Sequence, residues 1–172
     1  VTNDTTPALT GDVDDTTATV RIMVSGQTHT ATNNGNGTWT LVDNTITALP
    51  DNTYNVAATA TDAAGNSASD ATTNELTIDT TGPMITVDSL ATNDNRPELT
   101  GTINDATATI TLDVGGQNGL AVTNNGNGTW TLADDTINPG LTDNTYNVAV
   151  TATDSVGNAG MDSSTNELRI DT

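Results

Sequence analysis

Aspartate dominates the chemistry available to this chain. Of 172 residues 22 are acidic, and 19 of these are Asp; the glutamates are Glu75, Glu98 and Glu167. Lysine is absent. The cations are Arg21, Arg96 and Arg169, with a single His29, and the net charge is -19. A soluble surface usually interleaves both signs of charge. Asp is a short, stiff oxygen donor suited to loops, so its excess points to a hard divalent cation. Acid enrichment for solvation alone is the competing reading. Calcium takes roughly six to eight oxygens at ~2.3–2.6 Å from carboxylates, amide side chains and backbone carbonyls, whereas magnesium prefers octahedral sites that keep water. No His or Cys cluster suggests zinc. Nothing here could neutralise phosphates, which argues against nucleic acid as a partner.

The same residues give little for catalysis. His29 has no counterpart in the second half of the chain and reads as a surface residue. Paired acids such as Asp14 and Asp15 recur in loops, but a hydrolase needs a cleft and a tuned pair. The chain reads as non-enzymatic. Cysteine is absent, so an exported domain of this kind must be held by core packing or metal instead of disulfides. No signal peptide and no apolar run of membrane length is present, which argues against membrane insertion. The chain reads as an interior piece of something longer.

The elements that would position the aspartates come from an internal repeat. TNDTTPALTG (2–11) matches TNDNRPELTG (92–101), and NNGNGTWTL occurs at 33–41 and again at 124–132. DNTYNVAATATDAAGN (51–66) matches DNTYNVAVTATDSVGN (143–158), and TNELTIDT (73–80) matches TNELRIDT (165–172). The offset grows from 90 to 92 along the chain, so the copies differ by small loop insertions. This predicts a first domain over 1–80, a linker over 81–83 and a second domain over 84–172.

Within each copy the hydrophobic period is two, and no helix is predicted. Ala108, Ile110, Leu112 and Val114 share one face; Thr109, Thr111 and Asp113 share the other. The outward threonines are β-branched and suit a solvated strand face. Seven strands are predicted in the second copy, at about 84–88, 97–103, 107–114, 119–124, 128–133, 144–154 and 166–171. Short alternating strands over ~90 residues describe an immunoglobulin-type β-sandwich. The predicted fold class is all-β: two tandem immunoglobulin-like sandwiches arranged as an extended rod.

The NNGNG cluster is then the turn between the fourth and fifth strands, with Asn and Gly supplying positive φ. Trp39 and Trp130 open the next strand and are predicted to fill a core without Phe, since one Trp buries ~200 Å2. Stacking on carbohydrate is the alternative role for them. Tyr54 and Tyr146, in DNTY, resemble the tyrosine corner, whose hydroxyl bonds back to the loop backbone. Both are read as structural. Composition alone points the other way: Leu, Ile and Val total 31 of 172 residues, a fraction more usual in disordered chains.

LTG, GTWTL, DNTYNVxxTATDxxGN and LTIDTTGP, in this order and twice over, resemble the bacterial Ig-like extender repeats of giant surface adhesins, including biofilm and ice-binding adhesins of Gram-negative bacteria. The resemblance covers the whole chain. It implies a stalk module of a type I-secreted, extracellular protein, with neighbouring repeats as partners and calcium stiffening the joints. One departure is that Val1 aligns with Ala91, so the first copy lacks the first strand. A cut array and a strand donated by a neighbouring copy are the two explanations.

In such a sandwich the loops alternate between two poles. Asp4 and Asp79 are predicted at the lower pole of the first copy, and Asp94 and Asp171 at the lower pole of the second. Asp15, Asp62 and Asn66 are predicted at the upper pole of the first copy, and Asn104, Asp105, Asp154 and Asn158 at that of the second. A joint would bring Asp4 and Asp79 toward Asp105 and Asp154, with Asn104 or Asn158 as supplements. Four carboxylates repel unless a cation, here calcium, sits among them. The alternatives for Asp62 and Asp154 are turn capping, and for Asp79 an ordinary linker turn. The leading function is a non-catalytic structural extender of an adhesin or extracellular fibre. The alternatives are a carbohydrate- or host-surface-binding module, and a filament subunit that exchanges strands with its copies.

Overall fold

The computed structural model describes residues 1–172 and contains strands and turns only. It divides into two compact units, Val1–Thr80 and Thr81–Thr172. The first contains β1 (Leu9–Asp12), β2 (Thr19–Val24), β3 (Gln27–Asn33), β4 (Thr38–Leu41), β5 (Asn52–Tyr54), β6 (Val56–Thr61), β7 (Ser67–Ser69) and β8 (Leu76–Ile78). Its main sheet runs β1-β4-β3-β2-β6-β7, and β5 pairs with β8. β3 belongs to both layers: its start pairs with β2 and its end with β4.

The second unit contains β9 (Leu90–Thr92), β10 (Leu99–Thr102), β11 (Thr109–Val114), β12 (Gln117–Ala121), β13 (Thr123–Asn124), β14 (Thr129–Leu132), β15 (Asn144–Tyr146), β16 (Val148–Thr153), β17 (Ala159–Met161) and β18 (Leu168–Ile170). Its sheets are β10-β14-β13, β12-β11-β16-β17 and β15-β18-β9. Both units are immunoglobulin-like sandwiches.

Alternation decides which side chains form the core. Ile110, Leu112 and Val114 on β11 face inward against Val148, Val150 and Ala152 on β16, and meet Leu99, Trp130 and Leu132 from the other layer. Trp130 is 0% exposed and Trp39 6%. The core role holds for both. Tyr54 Oη donates to the Pro50 carbonyl at 2.7 Å, and Tyr146 Oη to the Thr142 carbonyl at 2.9 Å. Both are tyrosine corners.

Several sequence expectations need correction. The predicted strand at 144–154 is two strands on different sheets, because the chain jogs at Asn147. The Val148 N–H then loses its ladder partner and donates instead to Glu167 Oε2 at 2.9 Å. Asn55 and Glu75 repeat the arrangement, with Val56 N donating to Glu75 Oε2 at 2.9 Å. The predicted strand at 84–88 runs antiparallel to β10 through Thr86 N to Thr102 O at 3.0 Å and Asp88 N to Thr100 O at 2.9 Å. The chain then changes layer, and β9 pairs parallel with β18. The edge strands β7 and β17 were not predicted; their sequences, SAS and AGM, carry no apolar alternation.

In NNGNG only the glycines, Gly35, Gly37, Gly126 and Gly128, have positive φ. The asparagines serve as clips instead. Asn33 Nδ2 donates to the carbonyls of Asp15 and Ala18 at 2.9 and 3.0 Å, tying this turn to the neighbouring loop. His29 is half-buried on β3, with a buried Nε2 that has no partner, and is not the surface residue expected. Asp113 is not idle on its strand face: its Oδ1 accepts from Gly119 N at 2.6 Å.

Candidate functional site

The candidate site residues lie at the poles, and their geometry repeats from one unit to the other. At the lower pole of the first unit, Asp79 N donates to Thr2 O at 2.9 Å and Asp4 N to Thr2 Oγ1 at 3.1 Å, so both aspartates flank one residue. In the second unit Asp171 N and Asp94 N make the same bonds to Thr92, at 3.0 and 3.0 Å. Arg169 Nη2 reaches Asp171 Oδ2 at 2.8 Å. Thr77 stands at the corresponding place in the first unit, where no such cation is present.

At the upper pole of the first unit, Thr19 pairs with Thr61, which sets the Asp15 loop beside Asp62. Thr109 pairs with Thr153 in the second unit and sets the Asp105 loop beside Asp154 in the same way. Asp15 Oδ1 accepts from Thr17 N and Thr17 Oγ1 at 2.8 and 2.7 Å. Asp105 Oδ1 does the same with Thr107, at 2.8 and 2.7 Å. The Thr17 hydroxyl and amide hold Asp15 below the usual carboxylate range, against repulsion from Asp62.

Asp62 and Asp154 cap their turns, as the simpler reading of TDxxGN has it. Asp154 Oδ1 accepts from Val156 N and Asn158 N, each at 2.9 Å, and Oδ2 from Asn158 Nδ2 at 2.8 Å. Asp62 repeats this with Ala64 and Asn66, every bond at 2.8 Å. Burial pushes the Asp154 carboxyl up, but the bonds from Asn158 and Val156 outweigh it and hold the group low. The Asn66 side chain and amide lower Asp62. Hydrogen bonds to the charged form are the cause in each case.

The donor set fits calcium in kind, since it consists of carboxylates and amide oxygens. It differs in availability. Asp4, Asp15, Asp94 and Asp105 spend Oδ1 on the backbone and keep Oδ2 open. Asp62 and Asp154 use both oxygens. The Asn104 Oδ1 accepts from Met84 N at 2.7 Å. Within neither unit do three acidic side chains converge tightly enough to hold an ion, so each pole supplies pairs, short of the roughly six oxygens calcium needs.

Two further pairs were not assigned as site residues from the sequence. Asp51 Oδ1 accepts from Thr80 N and Oγ1 at 3.0 and 2.7 Å, and Asp143 does the same with Thr172 at 3.0 and 2.7 Å. The repeated IDT at each unit's end was the available signal. Glu75 and Glu167, in the repeated TNEL, are the second pair, and Glu167 is buried at 3% exposure.

The comparisons follow this architecture. A family profile described as a bacterial Ig-like domain matches residues 1–80 and 85–172. Among solved structures, a 1.5-MDa bacterial ice-binding adhesin studied for retention at its host's cell surface shares 20% identity at a TM-score of 0.51, covering 97% of this chain and 59% of the other. A calcium-stabilised adhesin that helps an Antarctic bacterium reach out and bind ice shares 22% identity at a TM-score of 0.49, covering 98% of this chain and 45% of the other. The chain thus spans about half the length of these two solved chains. No curated protein sequence matches it. The chain belongs to the bacterial Ig-like domain family, with one copy of the domain over residues 1–80 and another over 85–172.

Proposed function

We propose that this chain is a non-catalytic structural extender of a bacterial cell-surface adhesin or extracellular fibre, stiffened by calcium where its two units meet. The observation that carries the reading is the duplication of the pole networks. Asp15 and Asp105, Asp62 and Asp154, and Asp51 and Asp143 each make the same bonds to equivalent partners. A ligand-binding module would set one copy's loops apart from the other's, whereas a spacer repeats the same unit. The surface-adhesin setting draws on the motif resemblance and on the fold shared with the ice-binding adhesin.

Extension follows from strand geometry, since a ten-residue strand spans ~33 Å and each sandwich with its loops adds roughly 40 Å. Calcium is proposed at Asp4, Asp79, Asp105 and Asp154. Open Oδ2 atoms on Asp4 and Asp105 would enter directly, and Asp154 would enter by its remaining lone pairs. Neighbouring repeats of a longer chain would offer the same ends to one another. Small-angle scattering with calcium and then with chelator tests this, alongside titration calorimetry. Binding with a longer maximum dimension in calcium is expected. No heat of binding, with unchanged dimension and melting temperature, overturns the calcium joint. Selective retention on a glycan array would overturn the spacer reading.

A further inference from the structure

Asparagine is followed by glycine five times, at Asn34, Asn36, Asn118, Asn125 and Asn127. Such a pair can react with itself. Attack of the glycine nitrogen on the asparagine Cγ closes an unstrained cyclic imide, and glycine has no Cβ to crowd that closure. The fold treats the five pairs differently, and it repeats the difference from one unit to the other.

Asn36 and Asn127 are exposed at the hairpin tips. Asn36 Oδ1 accepts from Thr38 N at 3.2 Å and from Thr38 Oγ1 at 2.8 Å, and Asn127 Oδ1 accepts from Thr129 at the same two distances. Bonding to the amide two residues on folds the side chain back over the peptide between, which sets Cγ beside the nitrogen of Gly37 or Gly128. The two donors also draw electrons from Cγ and stabilise the oxyanion that forms on attack, as an oxyanion hole does. Gly37 and Gly128, both at φ 93°, keep N–H groups that no acceptor meets.

The other three pairs are held back. Asn34 Nδ2 donates to Thr38 Oγ1 and Thr40 Oγ1 at 2.9 and 3.1 Å, and the Gly35 N–H is taken by Asn33 Oδ1 at 3.1 Å. Asn125 and Gly126 repeat these bonds. Because Asn34 donates to the Thr38 hydroxyl, the hydroxyl proton is left to point at Asn36. Gly119 N donates to Asp113 Oδ1 at 2.6 Å. A carboxylate so close repels the amide anion that must form before attack, so Asn118 is disfavoured although exposed.

We propose that Asn36 and Asn127 are sites of spontaneous deamidation. The Gly37 nitrogen loses its proton to hydroxide and attacks Asn36 Cγ. The new C–N bond forms, the Cγ–Nδ2 bond breaks, and Nδ2 leaves as ammonia with a proton from water. Water then opens the cyclic imide at one carbonyl or the other, giving Asp or isoaspartate. Nothing is oxidised or reduced. Asn127 and Gly128 react in the same way. Each event adds one negative charge, which takes the chain from -19 to -21 when both sites have reacted. The charge arrives beside the Asp15 and Asp105 loops, since Val13 N donates to Gly37 O at 2.9 Å and Ile103 N to Gly128 O at 3.0 Å. The inference is independent of the calcium reading.

The test holds the whole 172-residue chain in mildly alkaline buffer and follows each asparagine by peptide mass spectrometry, with electron-transfer fragmentation to separate Asp from isoaspartate. Asn36 and Asn127 are expected to convert at least tenfold faster than Asn34, Asn118 and Asn125, at matching rates that rise with pH. In concentrated urea the five should convert at similar rates, because only local sequence then acts. Thr38→Val removes the hydroxyl donor and should slow Asn36 several-fold relative to Asn127 in the same molecule, while Thr38→Ser should keep the rate. No conversion at Asn36 and Asn127, earlier conversion of Asn34, Asn118 or Asn125, or the same spread of rates in urea as in the folded chain overturns the proposal. An Asn36 rate untouched by Thr38→Val overturns it as well.

Discussion

Trp130 and Thr86 are joined by an indole-to-carbonyl hydrogen bond of 2.8 Å across 44 residues of sequence. The bond closes the second sandwich: it ties the segment before β9 to the centre of the core, through the gap that Gly101 leaves.

Trp130→Ala should therefore cost about 3–5 kcal/mol, as other large core truncations do. Thr109→Ala, on an exposed strand position, should change stability by no more than about 0.5 kcal/mol. Urea melts of the two variants compare them directly. Equal costs would mean that the inward and outward faces are misassigned.

Gly101→Ala should destabilise more than Gly11→Ala. The first forces a backbone carbonyl 1.9 Å from the new Cβ to move as well as the Trp130 ring, whereas the atoms nearest the second are those of the Trp39 ring. Gly160→Ala should loosen the segment at Pro83 while leaving the core in place. Hydrogen exchange at Thr86 and Asp88 reports this directly, since both amides donate to β10.

Glu167→Ala should cost about 1–3 kcal/mol, because the buried Val148 N–H is left without an acceptor. Glu75→Ala removes the same bond from Val56 but at an exposed residue, where water substitutes, so it should cost less. Gln at either position keeps an acceptor and should recover much of the loss. Thermal melts of the four variants give the ordering.

Acid should weaken the fold through the pole carboxylates. Hydrogen bonds from the Thr17, Asn66 and Thr172 side chains, each joined by the same residue's backbone amide, hold Asp15, Asp62 and Asp143 below their ordinary range. The unfolded chain, with Asp near 3.9, takes up protons first as pH falls. The stability these groups contribute is complete above about pH 5 and is lost as pH drops through the unfolded and then the lower folded values. Stability measured by urea from pH 6 to 2, wild type minus Asp62→Asn, isolates one such group. A difference that does not change over this range would refute the assignment.

If calcium bridges the units as proposed, Asp79→Ala and Asp105→Ala should each reduce the rise of melting temperature with calcium concentration. Asp113→Asn is the fitting control, since it removes charge yet retains an acceptor for Gly119 N. Added salt should screen the repulsion left by chelation and soften its effect. A control that loses the calcium response as fully as the pole variants would point to bulk charge, not a joint.

The repeat, the strand class and the two anchors of each core are legible in the string of residues alone. Those are local or periodic facts: alternation along TITLDV, one Trp per copy behind the same turn, one Tyr behind DNT. Whatever depends on pairing between distant segments emerges only once the chain is folded. Nothing local shows that the chain jogs at Asn55 and Asn147, because the jog is stabilised by Glu75 and Glu167, far along the chain. The TDxxGN spacing offers turn capping for Asp62 and Asp154, but does not show that it takes both oxygens while Asp4 and Asp105 keep one open. The string gives carboxylates their positions, but lone pairs are allotted by whichever N–H groups the fold brings within reach.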